Sequence, residues 1–290
     1  MLPATSCDRT GGFNVDTNEL VVFLSEKQYH CLVITDQSSF SQVKCENISD
    51  NINLYRVSIE GVDANDQQAL LARVDNIYNQ IADILLKTDF KPVLIHSYYW
   101  LSGYIAGMLA NKLCVPFVHS VEAFAMDKEN SRAESNYDAQ LTSERVFLHQ
   151  AEYVFAITEA ERITALQEYQ LREERVIVVG RDVDKSYLFP AHNELGIAKK
   201  LDVSMKIYGS NKALTASTDW WNNGVFTYVG RLKREKGVHY IAQAWWLLRE
   251  QYGDLVPPLW FIGGDIDAIE KMREVVQETI PNLSEYEKKM

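Results

Sequence analysis

The stretch Phe226-Thr-Tyr-Val-Gly230-Arg231-Leu232-Lys233-Arg234-Glu235-Lys236-Gly237 constrains this chain more than any other. The β-branched and aromatic run from Val225 to Val229 reads as a strand, and Gly230 permits a sharp turn. From Val238 to Arg249 the period becomes helical, with Ile241, Ala244, Trp245 and Leu248 on one face. The result is a βα unit with a basic turn. Main-chain N–H groups at a helix N-terminus carry partial positive charge, Arg231 offers a planar fork and Lys236 a point charge, so the turn suits a diphosphate. A basic surface turn that only closes a βα unit fits the same residues equally well.

At 290 residues the chain is long enough for two domains of about 150 residues, each able to bury a core. No apolar run approaches the roughly 20 residues of a membrane span. Met1-Leu-Pro-Ala-Thr-Ser lacks a basic segment followed by an apolar one, so a cytoplasmic chain without a secretory signal is expected. A formal charge of −11 argues against a general nucleic-acid or anionic-membrane binder. Cys7, Cys31, Cys45 and Cys114 show neither C-x-x-C spacing nor a histidine cluster, which predicts reduced thiols and no metal site.

Ahead of the basic turn the sequence alternates strands and helices. Gly11 and Gly12 open an amphipathic helix ending near Gln28, and a glycine pair there lets a phosphate approach backbone N–H groups, although from the residues alone a plain loop-to-helix connection is the simpler reading. Strands are predicted at His30–Thr35, Leu54–Ile59 and Val93–Ile95, with one long helix from Ala64 to Lys87 whose apolar stripe is scaffold. His96-Ser97-Tyr98-Tyr99-Trp100-Leu101-Ser102-Gly103 lies where a strand gives way to a helix, the place where doubly wound sheets bind ligands. Val115-Pro116-Phe117-Val118-His119-Ser120-Val121-Glu122 carries a second strand-end histidine; either histidine alone is also compatible with a hydrogen-bonded structural role. A polar loop over 126–136, a helix from Tyr137 to Gln150 and strands at Tyr153–Ile157 and Arg175–Val179 follow. Beyond a polar connection, Val256 to Asp265 reads as a strand ending in Gly263 and Gly264.

These segments together resemble the retaining GT-B glycosyltransferases, in the group that includes sucrose-phosphate synthases and bacterial glycogen synthases. The basic turn is similar to their G-R-L-x-x-x-K-G motif, the glycine opening to G-G-x-N-V-x-x-x-E-L, and the His96 segment to H-x-H-Y-W-x-S-G, with Tyr98 in place of the second histidine. The resemblance implies that Arg231 and Lys236 hold the donor diphosphate, with Gly11 and Gly12 facing its phosphates. It further implies that Gly263 and Gly264 line the nucleotide pocket and that His96 and Tyr99 lie on the acceptor side. His119, in a sequence similar to H-S-L-E after a V-P-x-V strand, is implied to touch the transferred sugar as the catalytic residue. Glu144 and Thr158 resemble a pattern in which a helix acid precedes a strand ending in a hydroxyl residue. No metal and no cofactor is implied, the nucleotide diphosphate sugar being a substrate. Gly180-Arg181-Asp182 replaces the usual Asn-Gly pair of P-x-G-V-D, and only Met1 to Arg9 stand where a hydrophobic first strand is usual.

The expected fold class is α/β and GT-B-like: two doubly wound, Rossmann-like domains facing a cleft. Residues 1–185 would form the acceptor-side domain and 186–290 a partial nucleotide-sugar-binding domain. After Gly264 no strand is predicted, and Glu278 with Glu285 does not match the glutamate pair that grips the sugar in the group. Three readings stand: a fragment of a longer hexosyltransferase, a chain completed by a second polypeptide or self-association, or a non-catalytic interaction subunit. A GT-B-type epimerase finds no matching acidic context. No nicotinamide fingerprint occurs, since neither glycine cluster reads G-x-G-x-x-G.

Overall fold

The computed structural model describes residues 12–37, 44–59, 61–62, 66–129, 137–181, 224–263 and 266–279. The described residues form two compact units, one of residues 12–181 and one of residues 224–279. In the first, α1 (Gly12–Glu26) leads to β1 (Cys31–Asp36), and β3 (Ile52–Val57) lies parallel to it with Cys31 opposite Ile52. Between them in sequence but outside β3 in the sheet, β2 (Cys45–Ser49) pairs antiparallel with β3 across a slip between Asn47 and Ser49. This edge strand was not expected. Its residues Cys-Glu-Asn-Ile-Ser alternate exposed and half-buried, so it lacks the apolar run of a central strand. Glu46 instead holds the buried Arg56 of β3 at 2.7 Å.

The helix expected over 64–87 is broken. Asp66 caps α2 (Gln67–Leu71) by accepting from the N–H of Ala69 at 2.9 Å, and α3 (Val74–Thr88) starts after Ala72 and Arg73. The apolar stripe survives the break, since Leu70, Val74, Ile77 and Ile81 are all buried. Ile34 of β1 and Ile95 of the next strand both pack against the cluster formed by Val57, Val74, Ile77, Ile81, Ile105 and Leu109.

The second sheet of this unit is wholly parallel. β4 (Ile95–Tyr98), β5 (Phe117–Ser120), β6 (Tyr153–Ala156) and β7 (Val176–Val178) lie in that order. Ile95 stands opposite Phe117, Val118 opposite Tyr153 and Val154 opposite Val176. The connecting helices are α4 (Trp100–Leu113), α5 (Ala125–Glu129), α6 (Asp138–Gln150) and α7 (Glu159–Gln167). Trp100, Phe117, Phe124, Phe147 and Val154 form the core between sheet and helices. Helices α4 and α6 approach closely because Gly103 has no side chain: a Cβ there would lie 2.4 Å from Phe147 Cε2.

Thr158, the hydroxyl residue expected at the end of a strand, has a structural use. Its Oγ1 accepts from the N–H of Glu161 at 3.2 Å, and the Glu161 carboxylate accepts from the N–H of Thr158 at 3.0 Å, a capping box that starts α7.

The second unit contains β8 (Phe226–Val229) and β9 (Leu259–Ile262), parallel, with Phe226 opposite Leu259. Helices α8 (Val238–Tyr252) and α9 (Ile266–Thr279) pack together, joining Val238 and Met272 with Leu232 of the basic turn in one apolar cluster. Among the described residues, no helix is long and apolar enough to cross a membrane.

Candidate active site

In the second unit β8 ends at Gly230, whose φ of 154° and close neighbourhood to Gly263 decide the path of the turn. The N–H of Gly230 donates to the carbonyl of Ile262 at 3.0 Å, so the turn continues the β8–β9 pairing. Leu232 then plugs the core while Arg231, Lys233, Arg234 and Lys236 are exposed. A 3-10 turn at Arg234–Lys236 intervenes before α8, which begins after Gly237 at a φ of 70°. The basic residues thus precede the helix by one extra turn, where the sequence predicted direct entry. The Tyr228 hydroxyl donates to the carbonyl of Arg231 at 3.0 Å and steadies the loop. Among the described residues neither Arg231 nor Lys236 has a carboxylate partner. Burying Leu232 while leaving the cations unpaired orders a basic turn without neutralising it.

In the first unit several polar side chains converge at the carboxyl ends of the parallel strands. Arg181, just beyond β7, donates to Asp16 of α1 at 2.6 Å and to Glu122, beyond β5, at 2.9 Å. Burial raises the Glu122 pKa, opposed by the Arg181 guanidinium. Tyr98 at the end of β4 hydrogen-bonds Ser120 and Thr17, and burial is the largest cause of its raised pKa. Tyr99 follows with φ 69° and ψ 152°, a backbone region costly for any residue but glycine. Its side chain is partly exposed.

The two histidines do not share a face. Ser97 stands opposite His119 in the β4–β5 register, and successive residues of a strand point to opposite sides. His119 and Ser97 lie on one side, with the His119 ring edge-on to Phe147 of α6 at 4.8 Å. His96 lies on the other, stacked on Tyr98 at 4.6 Å and bonded to Ser120 Oγ through Nε2 at 2.8 Å. Burial pushes the His96 pKa down to about 4, and burial together with His96 pushes that of His119 to about 3. Both are therefore neutral imidazoles near pH 7, and His119 can act only as an uncharged hydrogen-bonding group.

The two depressed values carry a stability prediction. In the unfolded chain a histidine takes up its proton near pH 6.5, whereas here protonation waits until about 4 and about 3. Below pH 6.5 the unfolded state thus binds more protons, and stability falls as pH falls. Each ring contributes up to ~1.4 kcal/mol per pH unit in this limb. Urea unfolding between pH 7 and 4 should show the decline, and His119→Gln should flatten it.

The segment after β5 is held from beneath. Gln140 donates to the carbonyl of Ala123 at 3.0 Å and to Glu144 at 2.6 Å, while Glu144 accepts from the N–H of Ala125 at 3.0 Å and from the Tyr169 hydroxyl. Glu144 and Gln140 are buried, so the network fixes the path of residues 121–125 beside the strand ends. Glu144→Gln should cost roughly 2 kcal/mol, because an amide cannot accept on both sides. Chemical denaturation followed by Trp fluorescence checks the value.

Of the residues singled out from sequence, Arg231, Lys236 and Gly263 share one end of the β8–β9 pair, and Gly12 opens α1. Gly11 and Gly264 lie outside the described residues. His96 and Tyr99 lie on and just after β4; His119 is interior, only 4% exposed. The Asp16–Arg181–Glu122 cluster was missed. Its only signal in the sequence was the departure at Gly180-Arg181-Asp182. Among the described residues no group of three or more His, Cys, Asp or Glu is arranged to hold a metal ion.

An α/β unit whose four-stranded sheet is parallel, with polar side chains gathered at its strand ends, and a second βα unit bearing a basic turn without carboxylate partners among the described residues, fit the GT-B-like class. The chain belongs to the family of the glycosyl transferase 4-like domain, which matches residues 11–182. It is 28% identical over 182 residues to the D-inositol 3-phosphate glycosyltransferase of Corynebacterium urealyticum, a match covering 59% of this chain and 38% of that one. The corresponding enzyme of Jonesia denitrificans is 24% identical over 267 residues, covering 88% of this chain and 58% of the relative. The chain therefore spans less than two thirds of the length of these relatives. Among solved structures, sucrose-phosphate synthase from Thermosynechococcus elongatus superposes with a TM-score of 0.72 at 16% identity, over 93% of this chain and 63% of that one. A glycosyltransferase from Rickettsia africae gives 0.55 at 16% identity, over 95% and 62%. At these identities the structural matches speak for the fold alone.

Proposed function

We propose that this chain carries elements of a glycosyltransferase site that moves a hexosyl group from a nucleotide diphosphate sugar to a hydroxyl acceptor with retention of configuration. The observation that carries the reading is the basic turn between β8 and α8, ordered by buried Leu232 yet with Arg231 and Lys236 exposed and without carboxylate partners among the described residues. In such a transfer the bond from the anomeric carbon to the diphosphate breaks with its electron pair leaving on phosphate oxygen. The acceptor oxygen bonds to the anomeric carbon, and its proton passes to the departing diphosphate. Negative charge accumulates on the leaving group, so a fixed cationic turn stabilises the transition state more than the ground state. Gly11 and Gly12 would add backbone N–H groups to the phosphates, Gly263 and Gly264 room for the nucleotide, and His96 and Tyr99 contacts on the acceptor side.

His119 is assigned to orienting the transferred sugar, as a neutral group. The relatives named for D-inositol 3-phosphate support a polyol as the acceptor class. The test is calorimetric titration of the 290-residue chain with UDP, ADP and GDP, followed by transfer and hydrolysis assays with the matching glucose donor. Heat with one nucleotide identifies the base. A folded chain that gives no heat with any of them refutes a donor site complete within these 290 residues and leaves a site completed by further polypeptide, or an interaction subunit, as the reading.

A further inference from the structure

Ser97 and His119 face each other across the β4–β5 pair, both 4% exposed, with Ser97 Oγ 2.8 Å from His119 Nδ1. The serine hydroxyl has one proton and two acceptors within reach, Nδ1 at 2.8 Å and the carbonyl of Val118 at 3.4 Å. The second distance is well outside the usual range for an O–H···O bond, whereas the first is close to ideal. If Nδ1 held the imidazole proton, that proton would go to Ser97 Oγ and the buried hydroxyl hydrogen would be left with the distant carbonyl alone. Giving the hydroxyl proton to Nδ1 turns the short contact into a well-formed O–H···N bond, and a neutral imidazole that accepts at Nδ1 carries its own proton at Nε2.

We propose that Ser97 is a positioning residue that fixes His119 in the Nε2–H form, leaving one hydrogen-bond donor of set identity on the ring. The inference rests on the reading of His119 as the group that orients the transferred sugar. Nε2 has no partner among the described residues, while the Phe147 edge and the Ser97 bond hold the ring plane. The sugar therefore meets a donor that accepts nothing, and a hydroxyl facing it must present its oxygen lone pair.

The decisive measurement is long-range ¹⁵N–¹H correlation of the histidine rings in the full 290-residue chain, with His119 assigned by its loss in His119→Gln. The expected result is a pyrrole-type shift at Nε2 and a pyridine-type shift at Nδ1. Ser97→Ala should convert His119 to the other form or to a mixture, and Ser97→Thr should keep the original one. In transfer assays Ser97→Ala should lower kcat roughly tenfold with the donor KM little changed, and Ser97→Thr should restore it. A pyrrole-type Nδ1 in the unmodified chain, or an unaltered ring in a folded Ser97→Ala variant, overturns the proposal. The expected shifts together with undiminished transfer by His119→Ala would instead overturn the sugar-orienting role and leave the tautomer assignment standing.

Discussion

Arg231→Ala should weaken nucleoside diphosphate binding by about 100-fold, and Lys236→Ala by about tenfold, measured by calorimetry at fixed ionic strength. The two side chains differ in kind. A guanidinium can engage two phosphate oxygens at once, and losing such a charge-assisted pair forfeits more than losing one ammonium contact. Arg231→Lys should consequently recover only a small part of the loss. Because both cations are exposed and without carboxylate partners among the described residues, neither substitution strands a buried charge, and the unfolding midpoint should move little. Raising the salt should weaken binding of the unmodified chain more than that of Arg231→Ala, since the screened attraction is what the variant lacks. Unchanged affinity in both variants would remove the diphosphate from this turn.

The second large effect is expected from Gly263→Ala. This glycine has φ 136°, and a Cβ built on it would lie 2.1 Å from the carbonyl oxygen of Gly230. The obstacle is backbone, not the tip of a mobile side chain, so β8 and β9 would have to separate at the end where the basic turn begins. Strain and clash together should cost at least ~3 kcal/mol. Hydrogen exchange should show protection falling in β8, β9 and the turn, while the first unit keeps its own. Diphosphate binding should be lost along with the turn. Unaltered exchange and binding in this variant would mean that the strand ends tolerate a displacement their spacing does not suggest.

The sequence resolved well those parts where apolar runs alternate with helical periods. The strands from β4 to β9 fall within a few residues of their expected places, because each is a short apolar run bounded by polar turns, even in β7 and β8 where most positions are exposed. β2 was hidden because an edge strand alternates polar residues, and its pairing with β3 is a tertiary fact. The break at Ala72 and Arg73 was hidden because the apolar stripe from Leu70 to Ile81 runs through it unchanged. At the site, residue types and local motifs located the basic turn but not its extra 3-10 turn. Nothing local could bring Arg181 to Asp16, 165 residues away in the chain, or to Glu122, 59 residues away. The opposite faces of His96 and His119 follow from one register number, Ser97 against His119, which the sequence does not state.

Two imidazoles that stay uncharged down to about pH 4 and about pH 3 also change how any future rate profile should be interpreted. Histidine is the usual source of an inflection between pH 5 and 8, yet these two are silent there. An inflection in that interval therefore cannot be assigned to either ring, and the half-buried Glu122 carboxyl, whose pKa burial raises against the opposing Arg181 guanidinium, is a separate group to test. Repeating the profile with Glu122→Gln tests that carboxyl, because an inflection that survives the change has another source.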